Sequence, residues 1–293
     1  MDDLLFSYAD PATPLLKRKV INLIERSTGQ PRLKRLYLQH KEGAPAGEDF
    51  FAAAVRQLSL NVLFDQARLA AIPKDGPVVI VSNHPYGVLD GLVLSALVGK
   101  ARPDFLVLTN AVLLRAPEAR PHLLAVDFSE TPEAMETNLA SREAARKHLA
   151  KGGCLVVFPA GGVSTAPDKW GRKPAIDAPW QPFTSQLIQR AKATVVPVFF
   201  HGQNSRLFQI ASHLSLTLRL SLIFKEVRDR IGTDMAISFG DPIPFERLAH
   251  LKDRKEMANE LMRLTYSLQP PSEPKRSLRV RLKERVARRL SAA

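Results

Sequence analysis

Short apolar runs and helical apolar stripes alternate along most of the chain. Residues 14–28 place Leu16, Val20, Leu23 and Ile24 at helical spacing, and Gly29 is suited to end that helix. Residues 32–41 mix basic side chains with Leu33, Leu36, Tyr37 and Leu38. The stretch 50–72 (FFAAAVRQLSLNVLFDQARLAAI) predicts one long amphipathic helix. From there the period shifts. GPVVIVSN (76–83) predicts a buried strand after a Gly/Pro break, followed by a helix over 90–100 and strands over 104–110 and 122–128. A polar-faced helix is predicted over 132–151, with Thr131 as its N-cap. Strands follow over 153–160 and 193–200, with TSQLIQRAK between them as helix. A late strand over 234–243 and a closing helix over 253–268 complete the pattern.

Strands alternating with helices predict an α/β fold: a mostly parallel central sheet flanked by helices. The expected organisation is an N-terminal basic helical element (1–49), a main domain (50–268), and a linker with a basic amphipathic tail (269–293). Within that tail, Leu278, Leu282, Val286 and Leu290 repeat every four residues, which predicts a helix. Residues 165–183 carry Trp170, Trp180 and several prolines and read as a long loop. It is either a flap beside a functional site or a surface loop with packed tryptophans.

Composition narrows the function. The chain has 293 residues, 45% apolar and 24% charged, which fits a globular protein and excludes a disordered one. A single cysteine, Cys154, rules out an intrachain disulfide and a multi-cysteine zinc site. Cys154 falls inside a predicted buried strand and reads as a small core residue. No metal site is expected. The opening MDDLLFSYADPATP lacks the pattern of a secretory signal. No stretch approaches the ~20 apolar residues that span a bilayer. These features predict a cytoplasmic protein. A net charge of +13 calls for an anionic partner. No nucleic-acid signature is present, so no nucleic-acid partner is expected. The basic tail, with the N-terminal basic helix as a second candidate, is suited to an anionic membrane surface.

Two motifs carry candidate chemistry. The first is Ser82-Asn83-His84-Pro85-Tyr86-Gly87-Val88-Leu89-Asp90-Gly91, where a predicted buried strand meets a helix. In open α/β sheets ligands bind at that carboxyl edge. A close His and Asp form a base and its orienter: the carboxylate holds one ring N–H, and the other nitrogen takes a proton from a hydroxyl. The second is Val156-Val157-Phe158-Pro159-Ala160-Gly161-Gly162-Val163-Ser164-Thr165, whose glycine pair offers backbone N–H groups to an anion. His201 and Asn204, just after the strand that holds Pro197, are further candidates for substrate contact or for a purely structural role.

Together these blocks, with Val195-Val196-Pro197-Val198, resemble the glycerolipid acyltransferase superfamily, the PlsC-type lysophospholipid acyltransferases. The resemblance covers about residues 50 to 268. The stretch from Pro197 through HGQNSRLFQIASHLSLTLRLSLIFKEV further resembles a bacterial, hemolysin-like branch of lyso-ornithine-lipid O-acyltransferases. The resemblance implies acyl transfer from a thioester on acyl carrier protein or coenzyme A to a hydroxyl of a lysolipid. It implies no cofactor and no covalent acyl-enzyme. His84 would be the general base and Asp90 its orienter. Asn83, Gly87, Gly91, Phe158, Pro159, Ala160, Gly161, Gly162, Ser164 and Arg206 would contact substrate. An enzyme of this kind would lie peripherally on the cytoplasmic face of the inner membrane.

Three departures bear on the acceptor. Five residues separate His84 from Asp90 where the family usually has four; Gly87 allows a bulged turn that keeps the pair together. Ala160 and Val163 stand where the family usually has the Glu of FPEG and the Arg of Thr-Arg-Ser. Asn110 and Val112 replace the usual Lys and Glu of the second block, leaving Leu113 and Pro117 in register. Loss of the phosphate-gripping cations favours a lyso-aminolipid acceptor, such as lyso-ornithine lipid, over lysophosphatidate. Arg115, Lys169, Arg172, Lys173 and Arg206 are alternative sources of charge. An inactive membrane-binding homologue is the third reading.

Overall fold

The computed structural model describes residues 15–43, 48–127, 129 and 131–270. The tail 275–290 lies outside them. Among the described residues, seven strands form one sheet: β1 Asn61–Leu63, β2 Val78–Ser82, β3 Leu106–Asn110, β4 Leu123–Val126, β5 Cys154–Val157, β6 Thr194–Phe200 and β7 Asp234–Phe239, in the order β1-β7-β6-β2-β5-β3-β4. Every pairing is parallel except β6 with β7. The central strands read as unbroken apolar runs because both faces of the sheet are covered. Val78 and Ile80 face one layer and Val79 and Val81 the other.

The first layer holds α1 (Leu15–Thr28), α2 (Gln30–Gly43), α3 (Phe50–Gln57), α4 (Gln66–Ala70), α5 (Val88–Ala101), α8 (Arg206–Leu214), α9 (Leu216–Ser221) and α10 (Ile223–Asp229). The second holds α6 (Pro132–Ala150), α7 (Pro182–Ala191) and α12 (Arg254–Tyr266), with the short α11 (Phe245–Leu248) at its edge. Thr131 caps α6 as its sequence predicts, accepting from Ala134 N at 3.2 Å.

Gly29 ends α1 and also lets the corner to α2 close on α10. A Cβ there would meet Phe224 O at 2.5 Å. The side of α1 that is buried runs through Ile21 and Glu25, while Leu23, part of the apolar spacing read from the sequence, is exposed. No helix among the described residues is long and apolar enough to cross a membrane.

The single helix expected over 50–72 is three elements. α3 stops at Leu58, Ser59 takes a left-handed φ of 48°, and Leu60 N reaches back to Val55 O. Residues 61–63 then add β1 to the sheet edge against Asp234, Met235 and Ala236. Asp65 caps α4 through Ala67 N and Arg68 N. Pairing with a distant strand outweighs the local helical period here. The reverse holds over 206–229, where three short helices form that the apolar spacing did not single out. The strand predicted over 153–160 ends at Val157, and the one over 234–243 ends at Phe239.

Candidate active site

The site is built where β2 gives way to α5. Asn83 continues the sheet after β2: its Nδ2 donates to Phe200 O at 2.9 Å, and Phe200 N donates to its Oδ1 at 2.7 Å. That clamp fixes the end of β2 on β6 and uses both ends of the amide. The chain then turns at Gly87, whose φ of 68° is open to glycine at little cost. The same turn brings the two motifs together, because a Cβ on Gly87 would meet a Val163 methyl at 3.0 Å.

Asp90 sits in the first turn of α5 with its side chain fully buried. Tyr86 N and Gly87 N donate to its Oδ2 at 2.8 and 2.9 Å. This is the reciprocal half of a capping box, so one carboxylate closes the turn and serves the site. His84 Nδ1 lies 3.1 Å from the same oxygen. The distance is that of a hydrogen bond, but the two groups are not aligned for one, and Asp90 Oδ1 accepts nothing. Catalytic contacts are often loose before substrate binds. Burial pushes the Asp90 carboxyl above its ordinary value; the neighbouring His84 ring and the two backbone donors pull against that rise.

The extra residue between His84 and Asp90 is therefore absorbed at Gly87. Phe158, just past β5, lies against the imidazole with ring centroids 4.2 Å apart. Ser164 N donates to His84 O at 2.8 Å, tying the second motif to the first. Pro159 O accepts from Gln181 N at 2.9 Å, and Ala160 packs partly against the second layer. Gly161 closes a turn through its N–H to Phe158 O at 3.0 Å, which commits that donor. Gly162 is exposed, with open space where a Cβ would stand.

One buried carboxylate joins these pieces. Asp177 Oδ1 accepts from Ser164 Oγ at 2.5 Å and from His84 N at 3.2 Å, and its Oδ2 accepts from Trp180 Nε1 at 2.9 Å. Asp177 N donates in turn to Tyr266 Oη at 2.8 Å. The loop over 165–183 is pinned by this hub, by the Thr165–Ile176 bridge and by buried Trp180, while Trp170 is exposed. Arg206, on α8, donates from Nε to Trp170 O at 2.8 Å, so its contact is with the loop. His201 Nε2 pairs with Ser238 Oγ at 2.8 Å, and burial lowers its pKa. Asn204 is buried with Oδ1 unpartnered.

Beneath the site runs an apolar cavity of about 190 Å³. One face of α5 lines it with Val88, Gly91, Leu92 and Ser95, on either side of Asp90 in sequence. Leu33, Leu36 and Tyr37 of α2, Phe50 of α3 and Ile223 of α10 close the other sides. Gly91 therefore combines two properties: it follows the buried carboxylate and leaves the cavity wall bare.

The pattern of the acyltransferase family matches residues 38–272, most of the chain. The chain belongs to this family, within the glycerolipid acyltransferase superfamily, and is an acyltransferase. It is 24% identical over 285 residues to a lyso-glycine lipid O-acyltransferase of Bacteroides thetaiotaomicron, covering 92% of this chain and 96% of that one. A lyso-glycine lipid O-acyltransferase of Phocaeicola vulgatus is 24% identical over 267 residues, covering 86% and 88%. Among solved structures, the 1-acyl-sn-glycerophosphate acyltransferase PlsC of Thermotoga maritima aligns with a TM-score of 0.49 at 14% identity, covering 88% of this chain and 83% of that one.

Of the residues singled out in the sequence, the acyltransferase fold gathers His84, Asp90, Gly87, Phe158 and Ser164 into direct contact. Asp177 was missed. Its only sequence signal is an acid between two tryptophans in a proline-rich loop. Tyr86 was also missed: it donates to His201 O at 2.7 Å beneath the Arg230 guanidinium, 4.2 Å from the ring.

Proposed function

We propose that this acyltransferase moves a fatty acyl chain from a thioester to the hydroxyl of a lyso-aminolipid. The observation that carries the reading is the His84–Asp90 pair, 3.1 Å apart at the sheet's carboxyl edge and adjoining an apolar cavity. The buried carboxylate beside Nδ1 favours the tautomer with its proton there, which leaves Nε2 as the base. Nε2 takes the proton of the acceptor hydroxyl while its oxygen bonds to the thioester carbonyl carbon. The tetrahedral intermediate collapses, the carbon–sulfur bond breaks, and the imidazolium returns the proton to the leaving thiolate. Asp90 stabilises that imidazolium and keeps the ring in one tautomer. The cavity along α5 takes the acyl chain, with Gly91 leaving the entrance open. The reaction needs no cofactor beyond the thioester.

The missing phosphate-gripping residues and the two relatives named for a lyso-glycine lipid both support an amine-linked lipid acceptor. The acceptor and the net charge of +13 support a peripheral position on the cytoplasmic face of the membrane. The test is acyl transfer by purified protein with a panel of lysolipids, using acyl carrier protein and coenzyme A thioesters side by side. Lyso-aminolipid turnover is expected, reduced by about 10³- to 10⁴-fold in His84→Ala. Full activity in that variant would overturn the base assignment. Turnover of lysophosphatidate alone would overturn the acceptor.

A further inference from the structure

We propose that the corner between α8 and α9, with Trp170 beside it, is the surface by which the enzyme docks on an anionic lipid bilayer. This rests on the reading above that the acceptor is a membrane lipid. It adds where on the fold that membrane lies.

Leu207 and Leu214 stand seven residues apart on α8 and so share one side of it. Both are exposed, at 52% and 72%, and Leu216, which opens α9, is 69% exposed. The Arg206–Trp170 hydrogen bond places exposed Trp170 at the start of α8, next to Leu207. α1 packs beside α9. Its outer stripe reads Leu15, Lys19, Leu23 and Arg26, at helical spacing, with both leucines exposed. Of the ten large apolar side chains exposed among the described residues, four (Trp170, Leu207, Leu214 and Leu216) belong to this corner, and Leu15 and Leu23 belong to the helix packed beside it.

The charge of the surroundings selects the occupant. Exposed Lys169, Arg172, Lys173 and Arg206 border Trp170 and α8. The acid among them, Asp168, has its carboxylate taken up by Arg172 N and Lys173 N. Leucines and a tryptophan ringed by cations suit an interface of acyl chains under anionic headgroups. A second copy of this chain, itself at +13, would bring like charges together.

The corner is strapped to the catalytic loops. His213 Nε2 meets Ala166 O at 2.7 Å, and the Arg219 guanidinium donates to Val163 O. Between those carbonyls, Ser164 N holds His84 O. Docking through α8 and α9 therefore sets the His84 loop at a fixed height on the bilayer.

The experiment compares the full-length parent, Leu214→Glu/Leu216→Glu and His84→Ala. Binding to vesicles with and without phosphatidylglycerol is measured at low salt and at about 0.5 M salt, where screening removes the electrostatic pull of the basic tail. Activity is measured on vesicle-embedded lysolipid and on lysolipid below its micellar concentration. The double variant, with unchanged thermal melting, is expected to bind vesicles at least about tenfold more weakly at high salt. It should lose vesicle activity and keep activity on dispersed lysolipid. His84→Ala should bind vesicles normally and be inactive on both substrates, which separates the failure of docking from the failure of the chemistry. Trp170 emission should shift to the blue on vesicles, with the shift absent in Trp170→Phe. Undiminished vesicle binding by the double variant overturns the proposal. So does a parent that is a dimer and becomes monomeric in that variant, which would make this face a protein interface.

Discussion

The two ends of the central strands solve opposite problems. At the amino end, Arg102 is buried and every bond it makes is complete. It grips Asp104 with two parallel hydrogen bonds of 2.8 and 2.9 Å. It also donates to Pro73 O, Gly76 O and Gly152 O, the backbone leading into β2 and β5. At the carboxyl end, His84 and Asp90 sit within reach but unaligned, and Asp90 Oδ1 is buried without a partner. One end has spent its polar groups on the fold and the other holds some back. An unsatisfied buried group costs stability, so the carboxyl end carries a cost that the Arg102 network at the amino end does not.

Acid should treat the two ends differently. The Asp90 carboxyl is raised, so ionising it costs the folded state. That cost is absent below the ordinary carboxylate range and complete above the raised value. The Asp104 carboxyl is lowered, chiefly by its hydrogen bonds with Arg102. Its contribution is present above the ordinary range and lost as pH falls through the lowered value.

The largest effect belongs to Asp90→Asn. It keeps an oxygen for the Tyr86 and Gly87 N–H groups and removes the charge. We expect kcat to fall by about 10³- to 10⁴-fold, with melting at neutral pH unchanged or higher. Denaturant titrations across pH should show the parent gaining stability relative to the variant as pH falls through the raised Asp90 value. A large loss of stability at neutral pH would show that the charge holds the turn together.

Arg102→Met should do the reverse. It removes the donor that three backbone carbonyls share and leaves Asp104 without its partner, and we expect a loss of about 3 kcal/mol in chemical denaturation. The folded fraction at low temperature should keep its kcat. A kinetic defect at full folding would mean that the two ends are coupled through β2.

The smallest effect is expected at Cys154, in the core at the start of β5. Burial pushes its thiol up to about 12, so the native protein should resist alkylation by iodoacetamide at neutral pH. Cys154→Ala should cost about 1 kcal/mol and leave turnover intact. Rapid alkylation with loss of activity would put a nucleophile where the geometry has none.

The amino acids spelled out the centre of the fold better than its margins. β2, β5 and β6 are continuous apolar runs because both faces are covered, and such runs announce themselves. β1 did not, since its three residues owe their form to a partner 173 positions away, through the Asn61–Asp234 hydrogen bond among others. Within the site, His84 and Asp90 were legible because their chemistry and their glycine lie within eight residues of one another. Asp177 was not. Its importance lies in meeting His84 N and Ser164 Oγ across the fold, and no local pattern encodes that meeting.

The same edge pairing bears on how the chain is made. β1 is synthesised early and β7 near the end, yet they are neighbours in the sheet. The intervening chain must be closed as one large loop before that edge exists, and contacts of such long range form slowly. α10, which walls the apolar cavity, immediately precedes β7. On the ribosome, then, that apolar interior stays uncovered until α10 and β7 have both emerged.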